Sequence, residues 1–262
     1  LHRQWYNYTL KDNIKPDFLK NKVAYYVTGK DQWKYATTLD DIGHRKELLY
    51  LAAPAGLKQD VLNGGELLQE LPASKKPAEY TYDPLDKTNG RRELKPVENF
   101  YTDQSEVWYY TDNAVIYHSA PFEKETEVSG FFELKAYIEA DVKDVDIAVY
   151  IYEIKPDGSS VVLTYDVIRA RYRESLEKEK LLVPGEINLF HFAHFYFVSR
   201  MLEKGSRLRL IISSPNSINA QKNYCSGGVV AHETAKDAHT AHIKIYNDSK
   251  YPSVLMMPVV EN

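Results

Sequence analysis

Residues 145–173 read VDIAVYIYEIKPDGSSVVLTYDVIRARYR, and this stretch decides the fold class. Two runs rich in Val, Ile and Tyr flank the Pro-Asp-Gly sequence at 156–158. The proline fixes φ for a turn, the aspartate can bond to nearby backbone, and the glycine adopts a left-handed conformation without strain. The stretch therefore predicts an antiparallel hairpin between residues 145–154 and 160–173.

This hairpin would bring the outer ends of its two strands together. Asp146 lies at the start of the first strand, and Arg169, Arg171 and Arg173 lie at the end of the second. A guanidinium can hold a carboxylate through two parallel hydrogen bonds. We therefore expect Asp146 to form a structural ion pair with one of these three arginines.

Short β-type runs separated by turn residues make up most of the chain. Several alternate in polarity with a period of two, which is typical of half-buried strands. Besides the hairpin, the candidate strands are residues 22–28, 47–51, 106–110, 114–117, 126–139, 186–197, 206–213, 240–246 and 253–258. Residues 52–77 carry Pro, Gly and Lys and are expected to form a loop-rich excursion. About ten strands with hardly any helix predict an all-β fold, an antiparallel sandwich, jelly roll or barrel.

The first twelve residues differ from the rest of the chain. Leu1, Trp5 and Tyr8 follow the spacing of one helical face, which predicts a short amphipathic helix. A single such helix before a β-rich chain needs a surface to pack against.

Composition excludes several classes of protein. The net charge is 33 − 37 = −4, whereas nucleic-acid binding favours a basic surface. Cys225 is the only cysteine, so neither an internal disulfide nor a cysteine-rich metal site can form. We expect no membrane partner because no apolar run approaches the length of a membrane span. The sequence does not indicate the cellular compartment.

Catalytic and cofactor motifs are missing from the sequence. His191 and His194, and likewise His239 and His242, stand three apart, a spacing that places strand side chains on opposite faces and disfavours a metal site. No Gly-x-Ser-x-Gly elbow and no nucleotide-binding glycine motif occurs, and nothing places a base beside Cys225. We therefore expect no catalytic residue, metal or cofactor on this chain.

Seven short motifs nevertheless follow one another along nearly the whole chain. They are RQWYN at 3–7, VAYYVTG at 23–29, YTYDP at 80–84, PDG at 156–158, RARYRE at 169–174, GSRLR at 205–209 and YPS at 251–253. In type and order they resemble the C-terminal domain of the cocaine esterase and X-prolyl dipeptidyl peptidase-like serine hydrolases. This CocE/NonD family includes α-amino acid ester hydrolases and glutaryl-cephalosporin acylases.

The chain departs from the family pattern at several positions. Asn7 replaces the usual Asp, Ser206 replaces the usual His, and residues 85–90 replace a proline-rich loop. Cys225 stands near the usual Asn-x-Asn-Thr-Gly segment. Family members differ in substrate preference at such loops, so peptide, simple ester and β-lactam acyl substrates all stay open.

The resemblance implies an antiparallel jelly-roll β-sandwich, similar to galactose-binding domains, without catalytic machinery. Residues 1–20 would be the terminal helix and linker of a preceding α/β-hydrolase domain, and residues 21–262 the jelly roll. The parent would hydrolyse ester or amide bonds with a Ser-His-Asp triad that lies upstream of Leu1. The chain alone is therefore expected to be inactive.

The resemblance also implies where the domain meets its partners, the hydrolase and cap domains of the same polypeptide. Residues expected at that interface or in the wall of the acyl-binding cleft are Trp5, Tyr82, Asp83, Pro84, Arg91, Arg92 and Leu94. A homodimer would cover the same apolar helix.

Two other functions stay open at this stage. A carbohydrate-binding jelly roll would need a planar row of exposed aromatic side chains, and 21 tyrosines are present. A free-standing metal-dependent jelly-roll enzyme would need a ligand cluster, which the sequence lacks.

Overall fold

The fold is taken from a computed structural model that describes residues 1–12, 14–53, 64–73, 76–93 and 113–261. The strands are β1 (Val23–Val27), β2 (Gln32–Ala36), β3 (Arg45–Ala52), β4 (Gly65–Leu68), β5 (Ala78–Tyr82), β6 (Ala114–Ser119), β7 (Thr126–Gly130), β8 (Glu133–Ala140), β9 (Asp146–Ile154), β10 (Ser160–Arg169), β11 (Ile187–Phe192), β12 (Val198–Leu202), β13 (Arg207–Ser213), β14 (Ala241–Tyr246) and β15 (Val254–Val259). Helices α1 (His2–Asn7) and α2 (Thr88–Glu93) are short. The all-β prediction is confirmed.

Most strands join one large sheet in the order β10-β9-β13-β6-β4-β3-β15-β8-β14-β5, with β11 added on β8. Strands β1 and β2 form a separate pair, as do β7 and β12. One hydrophobic cluster contains side chains of β9 and β13 as well as side chains of β8 and β14, including Ile147, Leu210, Ile138 and Ile243. The large sheet therefore folds into two facing layers with the core between them.

The hairpin predicted between residues 145–154 and 160–173 is confirmed. Strands β9 and β10 pair from Ser160 opposite Ile154 to Arg169 opposite Asp146. The turn closes through a hydrogen bond from the Lys155 amide to the Ser159 carbonyl, and Gly158 has φ +85°. The second strand is shorter than expected, since a 3₁₀ turn at Ala170–Tyr172 replaces its end.

Two predicted strands are each divided in two. The run 126–139 breaks where Gly130 has φ +131°, so that β7 pairs with β12 while β8 joins the large sheet. The run 186–197 ends as β11 at Phe192, and β12 begins only at Val198. In both cases the strands change partners within a continuous apolar run, which a local pattern does not reveal.

The expectation of a loop-rich excursion over 52–77 is wrong in part, because β4 lies within it. Strand β4 pairs in parallel with β6, whereas the other strand ladders of the described residues are antiparallel. Its first residue, Gly65, packs against Tyr117 so closely that a Cβ would lie 2.5 Å from the ring. Strands β2 and β5 were also missed, and the candidate strand 106–110 lies outside the described residues.

The predicted N-terminal helix is confirmed as α1, which continues into a π-helical turn at Tyr8–Asp12. No residue of α1 is buried, and Leu1 and Trp5 are 61% and 45% exposed. The other predicted interface segment runs from Tyr82 to Leu94, and there α2 begins at Thr88, within the residues 85–90 that the resemblance assigned to a loop.

Candidate functional site

The end of the β9–β10 hairpin farthest from its turn carries the predicted ion pair. Arg169 lies directly opposite Asp146 in the strand register. Its Nε donates to Asp146 Oδ1 at 2.8 Å and its Nη2 to Oδ2 at 2.9 Å. The hydrogen bonds to this carboxylate raise the pKa of Arg169. These two parallel hydrogen bonds fix both side chains at the end of the hairpin that is farthest from its turn.

The other two arginines do not pair with Asp146. Arg171 bonds to the buried Asp144, through its backbone amide to Oδ1 at 2.9 Å and through Nε to Oδ2 at 2.8 Å. Arg173 donates instead to the carbonyl groups of Ala170 and Lys180. The 3₁₀ turn at Ala170–Tyr172 ends the strand alternation here, and it turns each arginine toward a different partner.

Asp144 and Arg171 form the most deeply buried part of this cluster. The Asp144 side chain is fully buried, and the Arg171 side chain is 6% exposed. Burial raises the pKa of Asp144, although its bonds to Arg171 oppose the shift. Arg171 also reaches Glu179 Oε2 at 3.1 Å and the Gly228 carbonyl at 2.6 Å, so its charge is balanced and most of its donors are used.

Asn223 joins the two ion pairs, a role that the sequence did not predict. Its Nδ2 donates to Asp144 Oδ2 at 3.0 Å and to Asp146 Oδ1 at 2.9 Å. Its backbone carbonyl accepts a hydrogen bond from the Tyr82 hydroxyl at 3.2 Å. We call the group Asp144, Asp146, Arg169, Arg171 and Asn223 the clasp. The only sequence signal for Asn223 was that it lies two residues before Cys225, where the chain departs from the family pattern.

Cys225 lies buried under the clasp and has φ +65°. Its amide donates to the Asn223 side chain at 2.9 Å. Burial raises the pKa of the thiol, and the nearby Asp144 and Asp146 carboxylates raise it further. A buried thiol that stays protonated is a poor nucleophile.

The segment after β5 is fastened to the clasp through residues 215–223. Asn216 Nδ2 donates to the carbonyl groups of Asp83 and Asp86 at 3.1 and 2.6 Å. Lys222 Nζ donates to the Pro84 carbonyl at 2.8 Å. Tyr82 and Pro84 are buried, whereas Asp83 is exposed. The Tyr82-Asp83-Pro84 sequence is therefore held by backbone contacts that do not depend on its side-chain charge.

At the end of this segment, Glu93 Oε2 accepts hydrogen bonds from the Ser217 hydroxyl and the Ile218 amide at 3.0 and 2.8 Å. The side chains of Arg91 and Arg92, and all of Leu94, lie outside the described residues. Their assignment to a cleft wall, like that of Trp5, stays a prediction.

The clasp offers no evident catalytic chemistry. Its carboxylates are engaged by cations and amides, and none of its five residues carries a hydroxyl or a thiol. In the part of the chain that the structure describes, no group of three or more His, Cys, Asp or Glu residues could hold a metal ion. Two of the paired histidines contact side chains of neighbouring strands: His191 Nε2 lies 3.2 Å from Glu133 Oε2, and His242 Nδ1 lies 3.3 Å from Thr81 Oγ1.

Three tyrosines gather on the outer side of the β9–β10 hairpin, of which Tyr165 and Tyr196 are exposed and Tyr150 is partly buried. The Tyr150 and Tyr165 rings are 5.9 Å apart and inclined at 28°, and Tyr196 follows at 5.2 Å and 59°. A sugar stacks on flat, coplanar rings, whereas these planes diverge. The group gives no support to carbohydrate binding.

A cavity of about 670 Å³ opens at the opposite end of the sandwich from the clasp. Its lining includes the apolar residues Leu49, Leu67, Phe122 and Met257 and the charged residues Glu47, Glu123 and Lys124. None of the predicted site residues lines it. Across the described residues, no helix is long and apolar enough to cross a membrane.

Together, the jelly-roll-like fold and the fully engaged clasp define a β-sandwich domain whose charged residues hold loops in place. The family model of the X-Pro dipeptidyl-peptidase C-terminal non-catalytic domain matches residues 18–256. The chain belongs to this family, and the resemblance drawn from its sequence motifs is confirmed.

Similar proteins agree with this assignment. Cocaine esterase of Rhodococcus sp. (strain MB1 Bresler) is 26% identical over 246 residues, which cover 92% of this chain and 42% of the esterase. An aminopeptidase from the marine sediment archaeon Thaumarchaeota archaeon has a similar fold, with a TM-score of 0.80, 20% identity, and coverage of 100% of this chain and 43% of its own. An α-amino acid ester hydrolase matches with a TM-score of 0.73 and 18% identity over 99% of this chain and 44% of its own. The chain thus spans less than half the length of these relatives.

Proposed function

We propose that this domain packs beside an α/β-hydrolase domain and a cap domain of the same polypeptide and helps to wall their acyl-binding cleft. The observation that carries the proposal is the match of residues 18–256 to a non-catalytic C-terminal domain family. The relatives named above are hydrolases more than twice as long as this chain. The parent would cleave an ester or amide bond by acyl transfer at a serine triad outside this chain.

The docking surface in this proposal includes the N-terminal helix. Trp5, Tyr6 and Leu10 are 45%, 55% and 74% exposed, and α1 buries none of its residues. Covering such side chains is worth roughly 25 cal/mol per Å² of apolar surface. Contiguous exposed apolar patches on soluble proteins often mark interaction sites, and this one supports docking.

The clasp end of the sandwich would supply the wall of the cleft. Leu85 and Ile218 are exposed there, at 47% and 55%. The segments that carry them are fastened to each other by Asn216, Lys222 and Glu93. A cleft wall has to keep its shape while substrates exchange, and a clasp with satisfied hydrogen bonds provides that rigidity.

Hydrogen exchange tests the proposal. The amide exchange rates of the 262-residue chain are compared with those of the same residues in the proposed parent polypeptide, which also contains the hydrolase and cap domains. We expect slower exchange in the full polypeptide for residues 1–12 and 83–93, and no change in the turn at 155–159, which lies at the other end of the sandwich. In the full polypeptide, Trp5→Ser should reverse the protection of residues 1–12. Leu176→Ser, which alters a side chain that is 77% exposed, is the matched control and should have no effect.

Equal exchange in both proteins would overturn the proposal. Protection of residues 1–12 that instead rises with the concentration of the isolated chain would indicate that a second copy covers the helix, and it would also contradict the proposed docking.

A further inference from the structure

Strand β10 lies at one end of the large sheet, and among the described residues it forms a ladder only with β9. Its register shifts between Val162 and Thr164, and a bulge of this kind blunts the edge of a sheet. Beyond the bulge, residues 165–169 keep a regular register with β9. Tyr165 and Val167 project from this regular part and are 42% and 45% exposed. A regular edge with exposed apolar side chains is a surface on which another strand can pair.

Asp166 lies between these two exposed residues, and its side chain is on the opposite side of β10. It is 7% exposed and lies opposite Val149, a member of the main hydrophobic cluster. Its Oδ1 accepts a hydrogen bond from the Val167 amide at 2.8 Å, and its Oδ2 accepts one from the His194 amide at 2.9 Å. A single buried carboxylate therefore engages one amide of the edge strand and one amide of a neighbouring segment.

That neighbouring segment, residues 193–197, connects β11 to β12 and forms no strand ladder with β10. Phe195 anchors the segment in the core, where it is 2% exposed. Besides the bond to Asp166, the Thr164 hydroxyl donates to the Tyr196 carbonyl at 3.1 Å. We call residues 193–197 the strap. Side chains of β10 hold the strap against the edge, so the loss of one side chain weakens its attachment.

We propose that Asp166 keeps the edge of β10 closed to strand pairing, and that a second copy of this chain pairs with this edge when the carboxylate is removed. While Asp166 holds the Val167 amide, that amide cannot donate to an incoming strand. Two β10 edges are self-complementary around a two-fold axis, so one surface serves both copies. The exposed side chains of Tyr165 and Val167 would then meet across the axis. The proposal depends neither on the docking of the N-terminal helix nor on a parent hydrolase.

Sedimentation velocity of Asp166→Ala at rising protein concentration tests this role. The substitution frees both amides, and we expect the average mass to rise up to two-fold above that of the wild-type chain. Asp141→Ala is the matched control. Asp141 accepts a bond from the His242 amide at 2.8 Å, but His242 belongs to β14, which lies between β8 and β5 and not at an edge. A dimer formed through the N-terminal helix would appear equally in all three proteins.

Adding Val167→Lys to Asp166→Ala distinguishes an open edge from a loss of folding. The lysines of the two copies would repel each other across the two-fold axis, so the double variant should return to the wild-type mass. Association caused by unfolding would persist. Asp166→Val places an apolar β-branched side chain at the same position and is measured in parallel, with circular dichroism to verify that each variant is folded.

The wild-type chain gives an answer that needs no variant, because the proposal expects slow hydrogen exchange at the amides of Val167 and His194. Rapid exchange at both amides would contradict it. So would a folded Asp166→Ala with the wild-type mass, equal association of Asp166→Ala and Asp141→Ala, or association that persists with Val167→Lys.

Discussion

The clasp shows at the scale of single residues how a buried charge is tolerated. Asp144 and Asp146 sit two residues apart, and each has its own arginine and shares the Asn223 amide. Removing one partner of such a pair leaves the other charge enclosed and uncompensated, and that cost exceeds the net gain of the pair itself.

Asp146→Asn should therefore lower the free energy of unfolding by about 3 kcal/mol. Glu174→Gln is the control, because Glu174 pairs with Lys180 where both side chains are more than half exposed, and such pairs contribute less than about 1 kcal/mol. Urea unfolding followed by circular dichroism measures both values. A loss for Asp146→Asn no larger than that for Glu174→Gln would show that the clasp does not stabilise the domain.

His118 should make stability depend on pH. Its pKa is about 4 in the folded chain against 6.5 for an ordinary histidine, because burial and the charges of Arg209 and Arg207 disfavour the imidazolium. The unfolded chain therefore binds a proton between these values while the folded chain does not. Stability should fall by up to about 3 kcal/mol as the pH decreases from about 6.5 to 4.

His118→Gln keeps an acceptor for Arg209 and removes the titration. The difference in unfolding free energy between wild type and this variant should change across that pH range. A difference that stays constant from pH 7 to pH 4 would refute the assignment.

At the scale of elements, the junction after β2 depends on a close approach of two backbones. Gly43 has φ +59°, and a Cβ there would lie 1.8 Å from the Ser129 carbonyl oxygen of β7. Gly185 also has positive φ, at +85°, but a Cβ there would meet nothing within 4 Å. Comparing substitutions at these two glycines therefore separates the energetic cost of a strained φ from the cost of a steric clash.

Gly185→Ala should cost about 1 kcal/mol, the conformational penalty alone. Gly43→Ala should cost about 3 kcal/mol or more, because a backbone carbonyl cannot move aside as a flexible side chain can. Chemical denaturation gives both values. Equal losses would mean that β7 and the 40–44 segment are less tightly packed than described.

The elements also show what the sequence could reveal. The β9–β10 hairpin was predictable because its turn chemistry is local, and its register follows once the turn is known. Strand β2 is five residues long, pairs with its neighbour β1, and was missed because of its shortness alone. Strands β4 and β5 were missed because they are four and five residues long and pair with the distant β6 and β14. Asn223 was missed for the same reason: its partners are 77 and 79 residues away, and no local pattern marks it.

At the scale of the whole molecule, both the fold and the family assignment agree with a structural role for this domain beside a separate catalytic domain. The clasp and the contacts around it consist of ion pairs and hydrogen bonds that hold loops in place. The relatives are hydrolases that exceed this chain in length by more than two-fold. From the sequence, this family could be predicted only through its short motifs, because an all-β pattern alone is compatible with many functions.

The central claim is that this chain is non-catalytic. The most direct test is to assay the purified chain with p-nitrophenyl acetate and a Gly-Pro chromogenic dipeptide substrate. The account predicts no turnover above the rate in buffer, and no change in the residual rate when Cys225 or any histidine is substituted. Turnover that survives repurification and is lost on substitution of one residue of this chain would contradict it.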